Sequence, residues 1–177
     1  MSLSLVLTVI GDDRPGIVEQ IATAISEHNG NWLESSMSHL AGKFAGIVCV
    51  SIPDSQLDAV KSALAGLSGL RITSEVSKSG ESPETTAGSR RLKLSLVGHD
   101  RIGIVREVSQ VLARHAVNVE DLTTYTASAP MAADILFHAN AVLTASPSLD
   151  ARALTNDLEH LSNDLMVDIT LDETIRT

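Results

Sequence analysis

Apolar residues along the chain keep two rhythms in turn, and each change of rhythm marks an expected element. Leu3 to Ile10 sets Leu5, Leu7 and Val9 against Val6, Thr8 and Ile10 and is apolar on both faces, which predicts a central strand. Ile17, Val18, Ile21, Ala22 and Ile25 then recur at helical spacing and leave Glu19, Gln20 and Glu27 outward. His28-Asn29-Gly30 closes that helix, with Gly30 expected in the left-handed position just past its end. Asn31 to Leu40 and Lys43 to Ile52 read as a hairpin around Ala41-Gly42. Pro53-Asp54-Ser55 opens a second helix with Leu57, Val60, Leu64 and Leu67 on one face, and Leu70 to Val76 is a last strand. The order β-α-β-β-α-β is that of a ferredoxin-like unit, an α+β arrangement.

The rhythm then breaks and starts again. Lys78 to Ser89 is rich in Ser, Glu, Thr and Gly, carries Pro83 and has no apolar period, which is linker composition. Leu92 to Val97 is the next strand, and Ile102, Val105, Val108, Val111 and Leu112 form the next helix face. Val117 to Thr126 follows as a strand, and Ala127-Ser128-Ala129-Pro130 makes a longer connection than Ala41-Gly42. Ala133 to Leu143 is the returning strand. Ser146-Pro147-Ser148 caps a helix with Leu154, Leu158, Leu161 and Leu165 on one side, and Met166 to Leu171 ends the sheet. The reading is two ferredoxin-like βαββαβ domains in tandem, at 1–77 and 91–177, joined by a linker at 78–90. Exposed sheet edges are normally covered, so two sheets in one chain invite edge or face pairing, and a homo-oligomer is expected.

The repeat is sharpest at the first turn of each half. Gly11-Asp12-Asp13-Arg14-Pro15-Gly16-Ile17-Val18 returns as Gly98-His99-Asp100-Arg101-Ile102-Gly103-Ile104-Val105, 87 positions later. Gly11 and Gly98 are placed at strand ends, where a residue without Cβ takes angles closed to others. Pro15 suits the first helical turn, since its missing N–H has no partner there. Asp12, Asp13 and Asp100 are natural acceptors for the free amides of that turn. Gly16 and Gly103 are placed just inside the helix, where only a small residue lets another backbone or a ligand come close. The start of a helix offers free N–H donors and a partial positive charge, which hold a small carboxylate or phosphate. An adjacent Asp pairs with an ammonium group, so a small zwitterion, meaning an amino acid, would satisfy both halves. The same residues also make an ordinary capped turn, and that structural reading stands beside the ligand reading. Asn31 and Asn118 begin the next strands at the same offset.

Charge narrows the options. The formal net charge is −9, divided as −4 over residues 1–77, +1 over 78–91 and −6 over 92–177. Neither half has the basic surplus that displaces counterions from a phosphate backbone, so direct nucleic-acid binding is not expected. Gly42-Lys43-Phe44-Ala45-Gly46-Ile47-Val48 faintly echoes an RNA-recognition strand, but the first strand has no aromatic platform and Gly46-Ile47 lacks the second one. Cys49, the single cysteine, excludes an intramolecular disulfide and reads as a buried structural thiol. The N-terminus has no leader pattern and no apolar run is long enough for a bilayer, so a cytoplasmic protein with no membrane partner is expected.

Catalytic chemistry is not legible. No histidine has a Ser or Cys partner in a nucleophile motif, no phosphate-binding loop occurs, and the six histidines show no paired spacing on a helix face. No enzyme activity, metal or cofactor is therefore expected. His28 and His115, equivalent in the repeat, are assigned to the ends of their helices. His99 replaces Asp12, so the two turns are not chemically equal. Trp32, Phe44 and Phe137 are read as packing residues.

With the doubled Gly-x-Asp-Arg-x-Gly-Ile-Val turn and this element order, the chain resembles a tandem of ACT domains, small regulatory units that bind amino acids at interfaces between copies. The first copy is the nearer match; His99, Ile102 and the longer second hairpin depart from the pattern. The resemblance implies ligand contacts from Asp12, Asp13, Gly16 and Ile17 with Asn31 opposite, and from Asp100, Gly103, Ile104 and Asn118 in the second copy. A free-standing pair with no catalytic domain looks like the transcriptional repressors of the glycine cleavage system. By that resemblance the protein would sense glycine or a related small amino acid and restrain a DNA-binding transcriptional activator through protein contact. The same tandem also occurs in accessory proteins, so a ligand-independent scaffold or accessory subunit is the alternative.

Overall fold

Alternation in the first strand becomes burial: Leu5, Leu7 and Val9 lie in the core, while Thr8 and Ile10 on the opposite side are exposed. The computed structural model describes residues 2–77, 88–129, 134–165 and 167–174. The chain divides into two compact units, residues 1–82 and 83–177. Of the expected linker, residues 78–87 lie outside the described residues.

Unit 1 runs β1 (Ser2–Asp12), α1 (Ile17–Ser26), β2 (Asn31–Leu40), β3 (Lys43–Pro53), a short 3-10 turn (Asp54–Gln56), α2 (Leu57–Ala65) and β4 (Leu70–Ser77). Its sheet has the order β2-β3-β1-β4 with antiparallel neighbours throughout. Ile17, Ile21, Ala24 and Ile25 of α1 and Val60 and Leu64 of α2 close over Leu5, Leu7, Val9, Val48, Val50 and Ile52 on one face. Each such aliphatic side chain taken out of water contributes about 1.5–3 kcal/mol, so that face stays closed and the other stays open.

Unit 2 runs β5 (Arg90–His99), α3 (Ile104–Arg114), β6 (Asn118–Ser128), β7 (Ile135–Ala145), α4 (Ala151–Leu165) and β8 (Val167–Thr174), with sheet order β6-β7-β5-β8. The two units thus share one α+β plan, the ferredoxin-like βαββαβ fold in tandem. A β-bulge between Trp32 and Glu34 recurs between Val119 and Asp121, at the same 87-residue offset as the turns.

Several local expectations are corrected. Gly11 and Gly98 lie inside β1 and β5, not at their ends. Gly11 is needed for room: a Cβ there would sit 2.5 Å from the Gly69 carbonyl oxygen and 2.7 Å from Leu70 Cδ2. The left-handed residue that ends α1 is Asn29 (φ 57°), matched by Ala116 (φ 52°), rather than Gly30. Gly30 and Val117 then donate their N–H groups back to Ile25 and Leu112 at 2.9 and 3.0 Å, closing both helices the same way. Ile102 is 99% exposed and precedes α3, so the buried face of that helix begins at Ile104. The cap of α4 is Asp150, whose Oδ1 accepts from the Ala153 N–H at 3.0 Å, whereas Ser146 and Ser148 bond each other. Pro130 and Ala133, expected in the second hairpin, lie outside the described residues, as does Met166.

Candidate functional site

The passage from β1 into α1 is fixed by backbone and arginine together. The Asp13 N–H donates to the Gly42 carbonyl at 3.0 Å, tying the turn to the hairpin. The Arg14 guanidinium donates through Nη2 to Gln20 Oε1 at 2.9 Å and to the Ser68 carbonyl at 3.2 Å. Gly16 then takes φ 87° and caps the helix through its carbonyl, which accepts from the Gln20 N–H at 3.0 Å. An L residue in that left-handed conformation costs roughly 1–2 kcal/mol, which is why glycine stands there.

The carboxylates do not cap the helix. Gly16 and Gly103, the N-cap residues of α1 and α3, make no side-chain cap, and among the described residues no side chain is bonded to the first-turn N–H groups. Asp12 is instead paired across the strands with Lys43, and that hydrogen bond and charge hold its carboxyl below the ordinary range. Pro15 lies in the turn before Gly16, outside the helix. The first-turn amides of α1 therefore stay open, as helix starts are unless something caps them.

Asp13, Gly16, Ile17 and Phe44 line an open concavity together with Arg14, Val18, Glu19 and Ala22. A Cβ built on Gly16 would meet nothing within 4 Å. A neighbouring concavity shares Glu19 and Ala22 and is lined further on by Asn31 and Trp32. The structure thus brings Asp13, Gly16 and Ile17 together and leaves Asp12 outside, while Asn31 is separated from them: it pairs with Ser51, which pairs with Ser4, eight positions along β1 from Asp12. Asp13 is exposed with no ion pair among the described residues.

Unit 2 repeats the backbone but not the opening. Gly103 takes φ 98°, its carbonyl accepts from the Glu107 N–H at 3.0 Å, and the Asp100 N–H donates to the Ile135 carbonyl at 3.0 Å. Arg101 Nη2 donates to Glu107 Oε2 at 2.6 Å, the counterpart of Arg14 on Gln20. Yet Glu107 Oε1 and Arg106 Nη2 lie 3.4 and 3.6 Å from where a Gly103 Cβ would be, so long side chains overhang the notch. Asp100 and Asn118 are exposed, and neither lines the narrow apolar cleft that Ile104 shares with Val105, Val108, Val119, Leu122 and Ala141. By register that cleft exists because Val119 stands where unit 1 has Trp32, and Ala141 where it has Val48.

Two arginines were missing from the ligand set read in the sequence. Arg14 and Arg101 brace their turns by bonding to the first helical turn, and the signal was present in their identical offset to Gln20 and Glu107. The equivalent histidines part company. His28 Nδ1 lies 2.7 Å from the Ala24 carbonyl at the end of α1, whereas His115 Nε2 lies 2.9 Å from Asp157 Oδ2 on α4. That second bond holds the Asp157 carboxyl below its ordinary range. No group of His, Cys, Asp and Glu among the described residues could hold a metal ion, and no helix among them is long and apolar enough to cross a membrane.

Comparison with known proteins agrees with this fold. A family model described as the ACT domain matches residues 4–74 and again residues 90–172. The crystal structure of an unknown protein from Galdieria sulphuraria superposes with a TM-score of 0.88 at 31% identity, covering 99% of this chain and all of the other. A putative glycine cleavage system transcriptional repressor superposes with a TM-score of 0.71 at 18% identity over 99% of both chains, a likeness of fold. Among curated relatives, UPF0237 proteins of Methanopyrus kandleri and Methanocaldococcus jannaschii are each 39% identical, over 56 and 54 residues. Those segments are 32% and 30% of this chain and span 62% and 60% of the relatives' lengths.

Proposed function

Because the chain belongs to the ACT-domain family, with one copy in each unit, we propose that this regulatory protein senses a small amino acid such as glycine and does so at the α1 notch of unit 1. The observation that carries this reading is the open, uncapped start of α1 beside the unpaired Asp13 carboxylate. Amides there suit the ligand's carboxylate and Asp13 suits its ammonium group. Asn31 takes no part at this notch, because its register partner Ser51 pairs with Ser4, eight positions along β1 from Asp12.

The output is a protein contact. Net charge of −9 disfavours nucleic acid, so regulation of transcription would run through a DNA-binding activator, with glycine cleavage genes as the target and repression as the sense. The fold-level likeness to a putative glycine cleavage system transcriptional repressor supports that choice over other regulated systems. The edge strands β2 and β6 each have a single neighbour, which suits assembly of copies in a cytoplasmic homo-oligomer.

A second reading has its own observation. The overhung notch at Gly103 favours a ligand-independent scaffolding or accessory role for unit 2, with Asp100, Gly103, Ile104 and Asn118 serving the fold rather than a ligand. Isothermal titration of the full chain with a panel of amino acids separates the two. Binding of glycine or another small amino acid, lost in Asp13→Asn, supports sensing at unit 1. Absence of binding by every member of the panel leaves the scaffold reading for both units.

A further inference from the structure

The helix-free faces of the two sheets differ in a way the turn motif does not explain. On the central strands of unit 1 that face carries three rows, Val6 with Cys49, Thr8 with Ile47, and Ile10 with Ala45. It is apolar apart from Thr8, whose hydroxyl is bonded to that of Thr73 on β4. Ile10 and Ile47 are 44% and 56% exposed on it, beside a half-buried Cys49. Unit 2 has Lys93 with Val142, Ser95 with Asn140, and Val97 with His138 in the matching rows, and Ser95 Oγ donates to Asn140 Oδ1 at 2.9 Å. The unit 2 face suits water, whereas the unit 1 face is an apolar patch that calls for cover.

Charges at the border of the patch say what covers it. On β4, Glu75 flanks the Val6 row and Arg71 the Ile10 row, and on β2 Glu34 and Ser38 flank the same two rows. Sheets stacked face to face lie about 10 Å apart with their strands within about 30° of each other, and a two-fold axis relating two copies then lies between them. An axis along the strands would exchange β4 with β2 and set Glu75 against the partner's Glu34, two like charges. An axis across the strands, through the row of Thr8 and Ile47, keeps each strand over its own copy and reverses the rows. Ile47 then meets the partner's Ile47, Ile10 the partner's Val6, and Ala45 the partner's Cys49. Arg71 lies over the partner's Glu75 and Glu75 over the partner's Arg71. Both groups are exposed and form no ion pair among the described residues of one chain.

We propose that the helix-free face of unit 1 is an interface with the same face of a second copy of this chain, formed about a two-fold axis that crosses the strands at Thr8 and Ile47. The Ile and Val side chains exclude water at its centre, and the Arg71–Glu75 pairs at its rim fix the register. This surface is distinct from the edges of β2 and β6, and it does not depend on an amino acid bound at the notch.

The test is analytical sedimentation of the full chain over a series of concentrations, with no amino acid added. A monomer–dimer equilibrium is expected. Ile47→Glu should weaken the dimer at least about tenfold, because it sets two carboxylates together at the centre of the contact, while the circular dichroism stays that of the folded chain. Asn140→Glu, at the matching place in unit 2, should leave the equilibrium unchanged. Arg71→Glu should weaken the dimer about tenfold, and Arg71→Glu combined with Glu75→Arg should restore it, since the exchange leaves each pair of opposite charges intact. Pairing through the β4 edge would answer to the charge exchange but not to Ile47→Glu, and pairing through the β2 edge would answer to neither. A monomer at every concentration, a dimer indifferent to Ile47→Glu, or a loss with Arg71→Glu that the double exchange does not repair would each overturn the proposal.

Discussion

At Gly16 an added side-chain carbon would meet empty space, whereas at Gly103 it would come within 3.4 Å of Glu107 and 3.6 Å of Arg106. The backbones around the two glycines are nearly the same, with φ of 87° and 98° and the same carbonyl cap. What differs is the first helical turn: Glu19-Gln20 in unit 1 against Arg106-Glu107 in unit 2. A second contrast lies beneath α1 and α3, where Trp32 and Val48 fill the space that Val119 and Ala141 leave as a cleft. The lesson is that a duplicated fold retains its backbone devices while side chains decide which copy stays open, and where.

The largest expected effect breaks the symmetry of the notches. Asp13→Asn should weaken glycine binding roughly 10- to 100-fold, the size of one charge-assisted hydrogen bond of about 1.5–3 kcal/mol. Asp100→Asn should leave the calorimetric affinity within about twofold, since its notch is overhung; equal losses in the two variants would make the copies functionally alike.

Core packing gives the next effect. Val48 is fully buried, so Val48→Ala should cost unit 1 about 2 kcal/mol in urea unfolding through lost burial and a residual cavity. The converse change, Ala141→Val, should stabilise unit 2 by about 1 kcal/mol by filling part of the cleft. Destabilisation by Ala141→Val would mean the cleft is too narrow for two methyl groups.

Gly16→Ala and Gly103→Ala should each cost about 1–2 kcal/mol from the left-handed backbone alone. Their stabilities should fall together, yet only Gly16→Ala should reduce amino-acid affinity. A cost confined to one of them would show that the two turns are not equally strained.

Acid sensitivity should be the smallest and should weigh on unit 2. Hydrogen bonds from His115 and Arg90 hold the Asp157 and Glu173 carboxyls below their ordinary range. A carboxyl whose pKa is lower folded than unfolded stabilises fully above the unfolded value, and that stability fades as pH falls through the folded one. Thermal unfolding of unit 2 should therefore weaken between about pH 5 and pH 3, and Asp157→Asn with Glu173→Gln should flatten that decline. All these groups are partly exposed, so the slope is modest.

Much of this molecule is legible in the order of its residues. The short apolar run of Leu3 to Ile10 and the spacing of Ile17, Ile21 and Ile25 name both elements, because period decides which side chains share a face, but a strand apolar on both sides left its buried face to the packing. Two-residue Ala41-Gly42 names the hairpin, and both residues take the positive φ that such a turn demands. The 87-residue repeat names the tandem. Less legible were ends and caps. Ile102 looked like part of a helix face but falls before α3, and the Asp150 cap of α4 was passed over for a Ser-Pro-Ser stretch that bonds within itself.

Sequence alone determined the βαββαβ plan, its duplication and the place of the turn, since these follow from local period and from which residues tolerate a tight bend. Tertiary structure decided what each turn does with its polar groups. Asp12 looked as good a cap or ligand contact as Asp13 until β1 and β3 came into register and set Lys43 beside it. Arg14 had no role assigned from its neighbours in sequence, and it gains one because Ser68, 54 residues away, brings a carbonyl within reach. Pairings at that separation depend on how strands align across the sheet, and no local rule along the chain encodes them.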